Sequence, residues 1–469
     1  MFQFSPIFKQ FLTIVCCNLL TLSYGLTTGW ATINFNELQS ESSTFSTGPL
    51  SIEELSLVIG IVNLGAVVGN FLILPASQVI GIKKTIHLFG LPLILSAILI
   101  IWAQNVYYLY ASRVLTGLVG GALSVGLPTL INDISSDNMR GALNSIYDPF
   151  NNIGIIISFF IGNYLSCIDQ AKTLLIGPII FISIMFLLPE SPEFLANRNK
   201  QKRAMKARKF YKGSFAALES AEFLQKTQIE IEKGKLEKDE EEEDEDDESD
   251  SKLTLQDFLT PQAKKAIFIS FMALALNFAS GTMVIMSYVT DIFTKTGSSL
   301  STKNSSLLVS ITQITANVLF LNCVERINRR ALQICSSLLT TASFFLFAAY
   351  CLLWIDEPEL NWMPPFCFAC IIYFSWMGQI PIPFIVTFEI FPKKIRQTCL
   401  SLSVSLIWII SFILGSIFPV FLESFGLFTT MMTFGVISLL NVLFGIFFIP
   451  ETRGKSYEEI MSLLSNNDK

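Results

Sequence analysis

Twelve stretches of this 469-residue chain stay apolar for about 20 residues each, and that pattern restricts what the chain can become. They fall near 11–33, 55–76, 86–103, 107–131, 142–165 and 172–188, then near 265–292, 305–323, 331–354, 363–387, 398–421 and 427–449. Unbroken apolar runs of this length predict helices, because the strands of a membrane barrel would alternate polar and apolar residues. Only 15% of the residues are charged, too few to coat a soluble protein of this size. The chain therefore reads as an all-α integral membrane protein. Its first run is too long for a removable leader and lacks a small-residue cleavage site.

Lysine and arginine set the expected orientation. The loops that follow even-numbered runs are basic, with Lys83 and Lys84, Arg140, Arg326, Arg329 and Arg330, and Lys393, Lys394 and Arg396. The loops after odd-numbered runs are nearly bare: 34–54 and 355–362 contain neither Lys nor Arg. Both termini and the middle segment are thus expected in the cytoplasm, with the plasma membrane as the site. The expected division is a six-helix bundle over 1–188, a cytoplasmic linker over 189–262, a second six-helix bundle over 263–450 and a tail over 451–469. The linker opens on a basic stretch from Arg198 to Lys212, which suits anionic lipid or plain positive-inside bias. It then carries an acidic run over 237–250 that reads as solvated linker. That run alone makes the whole chain formally −6; the rest is net positive.

The two halves repeat each other. Asp133-Ile134 precedes Arg140 by seven residues, and Glu389-Ile390 precedes Arg396 by the same gap. Pro189-Glu190-Ser191 closes the first half and Pro450-Glu451-Thr452 the second. A parallel six-plus-six repeat with solute held between the halves near the midplane is the plan of major facilitator transporters.

The motifs also carry a resemblance that covers nearly the whole chain. Arg113-Val-Leu-Thr-Gly117 with Gly120-Gly121, Pro128, Asp133 and Arg140-Gly-Ala-Leu143 resembles the fourth-span region of sugar porters. Pro189-Glu-Ser-Pro192, Val324-Glu-Arg-Ile-Asn-Arg-Arg330, Glu389-Ile-Phe-Pro392 and Pro450-Glu-Thr-Arg-Gly-Lys455 resemble the sixth-span ending, the eight-to-nine loop, the ten-to-eleven loop and the C-terminal signature. The short first outer loop leans towards the arthropod facilitated trehalose and hexose transporters. The resemblance implies a cytoplasmic gate network of Asp133, Arg140, Glu190, Glu325, Arg326, Arg329, Arg330, Glu389, Arg396 and Glu451, with Arg113 nearby. Carboxylate–arginine pairs at helix ends can tie two halves together in one state and release them in the other.

The sequence departs from that pattern at several positions. The two-to-three loop runs Gln78-Val-Ile-Gly-Ile-Lys83, without the family's acid and arginines. In the pocket the seventh span offers Asn277, Phe278 and Met283, the tenth Phe384 in place of Trp, and the eleventh Ile407 before Trp408. Asp148 stands at the fifth-span position where the family has Gln, on one helical face with Asn144 and Asn152. With Tyr288 and Gln313, these residues form the expected substrate pocket. A carboxylate inside a span usually faces a cavity. The leading reading is facilitative sugar transport by alternating access. A carrier for a non-sugar or cationic solute, proton-linked through Asp148, and a transporter-like sensor stay open. The partners expected are a small solute and the bilayer, with no nucleic acid, and a monomer suffices. No enzyme, metal or cofactor is expected: His87 is alone, Cys367-x-x-Cys370 lies in an apolar run, and no phosphate loop appears.

Overall fold

The computed structural model describes residues 5–40, 48–135, 143, 146–198, 200–213, 254–298, 302–324, 326–355, 357–392, 394–455 and 457–465. Among them every regular element is a helix. Nine helices of the described residues are long and apolar enough to cross a membrane. One of these, Thr398–Phe447, is two spans joined at Gly426. Tyr147–Gly162 and Thr302–Cys323 each add one, which completes the twelve spans of a major facilitator fold.

Several boundaries differ from the sequence expectation for physical reasons. The fifth span is described only from Tyr147 to Gly162. The sixth begins earlier, at Cys167, because the Ser166 hydroxyl caps it and the Asp169–Lys172 pair sits inside its first turns. The eleventh and twelfth are continuous in hydrogen bonding except at Gly426, whose φ of 77° turns the chain without a polar loop. The seventh is broken into Pro261–Ala279, Thr282–Ser287 and Val289–Lys295. Gly281 has a φ of 79° there, and a side chain on it would strike the Phe434 ring. The tenth runs as Met363–Phe374 and Pro381–Ile390, separated by a π turn at Ser375–Gln379. Pro381 and Pro383 supply no backbone donors, and the Ile380 N–H reaches back five residues to the Ser375 carbonyl at 2.9 Å.

Glycines let the second span, Ile52–Ile80, press against the fourth, Val106–Ile134. Gly65 and Gly69 meet the Val114 and Leu118 carbonyls, while Gly117 and Gly121 meet those of Val62 and Ala66. Small residues four apart on both partners are the usual means of bringing backbones together in lipid.

The buried apolar side chains fall into three clusters. One lies at the end opposite the termini, the bare end, and draws on both halves: Trp30, Leu55 and Val58 pack with Ile285, Tyr288 and Phe293. The other two lie at the basic end and do not mix. One holds Ile14, Ile86, Leu130 and Met185, and takes in Tyr211 from the middle segment. The other holds Ile269, Val386 and Ile449, and takes in Ile460 and Leu464 from Tyr457–Ser465. The halves are thus sealed together at the bare end and separately packed at the basic end. Between them run two seams. The second span lies along the eleventh, where Asn70 Nδ2 donates to the Ser401 carbonyl at 2.8 Å and to Ser405 Oγ at 2.7 Å. The fifth lies along the eighth.

Candidate functional site

Most of the residues read from the sequence as a pocket stand near the middle of their spans. Gln313 is central in Thr302–Cys323. Asn277 ends the first piece of the seventh span, directly before its break. Trp408 lies midway along the eleventh span. The depth of Asp148 follows from helix register. The first and fifth spans run in parallel, with Gly25 against the Asn151 carbonyl and Gly29 against Ser158. Gly154 in turn meets the Leu22 carbonyl, so Asp148, six residues earlier, stands level with about Leu19, close to the centre of Pro6–Ile33. Its side chain is exposed, and no described residue bonds to it. Asn152, one turn further along, is 1% exposed, and both of its amide atoms lack a partner.

The two interrupted helices are tied to each other at the same depth. Asn277 Nδ2 donates to the Ile380 carbonyl at 3.3 Å, and Gln379 Nε2 donates to Ser280 Oγ at 3.1 Å. Thr282 and Ser375 hydroxyls meet at 3.1 Å. Four buried groups are left over: Asn277 Oδ1, Gln379 Oε1, Trp376 Nε1 and Trp408 Nε1. An unsatisfied buried polar group costs about 1–3 kcal/mol, so a set of two acceptors and two donors is costly unless something fills it. Gln379 and Trp376 were not among the pocket residues expected from sequence. The signal for them is the Pro381-x-Pro383 pair, which forces a π turn directly before it.

The remaining pocket candidates fall elsewhere. Phe278 and Phe384 meet edge to face at 6.1 Å, with Phe384 on the basic side of the π turn. Met283 packs onto the bare-end cluster. Tyr288 is inside that cluster, and its hydroxyl donates to the Gly415 carbonyl at 2.7 Å.

The repeated Pro-Glu motifs do the same work in each half. Glu190 accepts from the Lys83 and Lys84 backbone N–H groups at 2.9 and 3.1 Å. Glu451 accepts from those of Arg329 and Arg330 at 3.2 and 3.1 Å. Each carboxylate thus caps the positive start of the third helix of its half. Beside them, Glu389 pairs with Arg329, which also donates to Thr452. In the first half Lys83 stands where Arg329 does on the Pro-Glu carboxylate, and Asp133 takes the Ser191 hydroxyl at 2.5 Å instead of a guanidinium. The missing arginine of the two-to-three loop is replaced there by a neutral donor. Arg396 donates to the Phe391 carbonyl and lies over the Phe388 and Tyr457 rings, while Arg330 donates to the Ile446 carbonyl. Arg326 is exposed. Arg140, Glu325 and Asn144 lie outside the described residues. Among the described residues, the bonds of these groups stay within one half.

Arg113 needs correction. It is two turns from the bare end of Val106–Ile134, whereas Asp133 is at the opposite end of the same helix. Arg113 is 2% exposed and donates to the Thr27 carbonyl of the first span at 2.8 Å. Twenty residues of helix, about 30 Å, separate it from the basic-end groups. The fourth-span signature runs the full length of a helix, so its members need not share a site.

Outside the spans, Asp257 ties the end of the middle segment to the second half. It bonds Lys394 at 2.9 Å. The Thr254 N–H, followed by Lys394, holds its carboxyl below the usual carboxylate range.

Comparison with known proteins fits this geometry. A facilitated trehalose transporter of Bombyx mori is 28% identical over 89% of this chain and 80% of its own length. One from Polypedilum vanderplanki is 27% identical over 97% and 88%. A solved inward-open structure of the xylose transporter XylE from E. coli shares the fold with a TM-score of 0.75, at 19% identity over 97% of this chain and 99% of that one. The family model for sugar (and other) transporters matches residues 17–464. The chain belongs to that family and is a multi-pass transporter, not an enzyme.

Proposed function

We propose that this protein moves a sugar of the hexose or trehalose class down its gradient by alternating access, from a pocket between its halves. The observation that carries the reading is the set of polar atoms at mid-depth without a partner among the described residues: both amide atoms of Asn152, the side-chain oxygens of Asn277 and Gln379, and the indole N–H groups of Trp376 and Trp408. A sugar presents hydroxyls that both donate and accept, and such a ring satisfies orphaned acceptors and indole donors together. Asp148 completes the set as an acceptor for sugar hydroxyls. The relatives named above are trehalose transporters, which supports the same solute class. The basic end faces the cytoplasm in this reading, because lysine and arginine are retained there. Sealing at the bare end with separate packing at the basic end is then the state open to the cytoplasm.

The test is tracer uptake of trehalose and glucose into proteoliposomes holding the purified protein. Saturable flux that falls when Asn277 or Gln379 is changed to Leu supports the proposal. Absence of sugar flux under any gradient, with saturable flux of an organic cation instead, overturns it.

A further inference from the structure

The basic helix Gln201–Tyr211 plays no part in the pocket, yet it is firmly placed. Gln10 Nε2 donates to the Tyr211 carbonyl at 2.9 Å, and the Tyr211 hydroxyl donates to the Pro189 carbonyl at 2.9 Å. Lys9 lies over the Phe210 ring at 5.2 Å. Ala204, Ala207 and Tyr211 form its buried stripe. These contacts dock it against the beginning of the first span and the end of the sixth.

Its other faces carry charge of one sign. Lys200, Lys202, Arg203, Lys206, Lys209 and Lys212 are exposed, and no acidic residue occurs between 194 and 213. None of these six makes an ion pair with a described residue. Directly beside the docking point stand very exposed apolar side chains, Phe186 at 73% and Leu187 at 82%. Met205 on the helix itself is 45% exposed. Apolar groups of this size face lipid in a chain that spans a membrane. Tyr211, flanked by Lys209 and Lys212, bonds to Pro189 two residues beyond Leu187, which sets that end of the helix at the depth of lipid headgroups.

We infer that Gln201–Tyr211 is a docking surface for the phosphate groups of anionic phospholipids in the leaflet at the basic end. Positive-inside bias accounts for bases at this end of the molecule. It does not account for four exposed bases on one short helix, with one more at each end and none paired with a described residue, beside an apolar rim. A base near an anionic surface gains roughly fivefold in local binding, so several acting on one multivalent headgroup are strongly selective.

The full-length protein is purified from vesicles of phosphatidylcholine doped with a phosphoinositide, and retained lipid is counted by native mass spectrometry. The variant Lys202→Gln with Lys206→Gln and Lys209→Gln is compared with the same positions changed to Arg. The proposal expects the Gln variant to lose at least about fivefold of the retained phosphoinositide, and the Arg variant to keep it. Uptake in pure phosphatidylcholine, unchanged in both, shows that the fold is intact. Equal retention by the Gln variant and the native protein overturns the proposal. So does full displacement by free inositol phosphate at equal concentration, which would make the ligand a soluble phosphate. A rise in lipid retention on deletion of 237–250 would also overturn it, because the chain's own acidic run would then be the occupant. The readout is lipid retention, so it stands or falls apart from the identity of the transported solute.

Discussion

At the scale of single residues, Asp148 and Tyr288 act on different parts of the cycle. Asp148 stands at mid-depth with no bond from a described residue, one turn from the Asn152 amide, whose two polar atoms find no partner among the described residues. A hydrogen bond to a charged acceptor is worth about 1.5–3 kcal/mol. Asp148→Leu is therefore expected to raise the KM for sugar by at least about tenfold, and Asp148→Asn by less, since the amide still accepts. Initial tracer flux against sugar concentration checks this; an unchanged KM in the Leu variant removes Asp148 from the pocket. Tyr288 is buried in the bare-end seal and bonded to the backbone of the eleventh span. Tyr288→Phe deletes one buried hydrogen bond of about 1 kcal/mol, so the seal should open about fivefold more often. Labelling of a cysteine placed at Ser56, measured from the bare end, reads that opening. Neither position could be assigned this way from sequence. Asp148 is visible as a charge in an apolar run. Tyr288 looks like any pocket tyrosine until the break at Gly281 turns its helix towards the seal.

At the scale of elements, the spans were legible because lipid demands long apolar runs, and that demand leaves little ambiguity. The breaks were less so. The tenth span's prolines mark a break, but the π turn lies one turn before them and brings Gln379 and Trp376 into the pocket. The start of the sixth span is hidden from a hydropathy reading because its first turns are polar and held by a cap. The repeated Pro-Glu motifs were visible as repeats, whereas their work as helix caps appears only with the backbone in view. Glu190→Gln and Glu451→Gln each keep an acceptor and lose the charge. Each is expected to lower stability by roughly 1 kcal/mol, as cap charges do. Thermal melting of the purified protein measures it, and a change in only one of the two would break the equivalence of the halves. The glycine seam has a larger expected effect. Gly117→Ala and Gly121→Ala drive a methyl into backbone carbonyls of the second span, which cannot rotate away. Overpacking of this kind costs about 1–3 kcal/mol. Gly415→Ala, whose added methyl would meet only the Gly60 Cα at an ordinary 3.7 Å, is the control for a change in composition alone.

At the scale of the whole molecule, the arrangement of apolar clusters says what the charged groups alone do not. A gate that joined the halves at the basic end would place a carboxylate of one half against a base of the other. Here, among the described residues, Glu190, Glu389 and Glu451 find their partners within their own halves, and the apolar clusters at that end are separate. The cluster shared by both halves is at the bare end. Contact between the halves persists along the second and eleventh spans, where Asn70 bridges to Ser401 and Ser405, and this seam is the axis about which they turn in our reading. The expected consequence is a one-sided chamber. In a background without reactive cysteines, Asp148→Cys should be modified by a membrane-impermeant thiol reagent added at the basic end, and protected from the same reagent added at the bare end. Saturating sugar should slow the first reaction, because the solute fills the space beside the residue, and should speed the second, because a loaded carrier visits the opposite state. Sided vesicles with the reagent on one face at a time measure all four rates. Equal labelling from both ends, with or without sugar, would mean that the bare-end cluster does not seal the chamber.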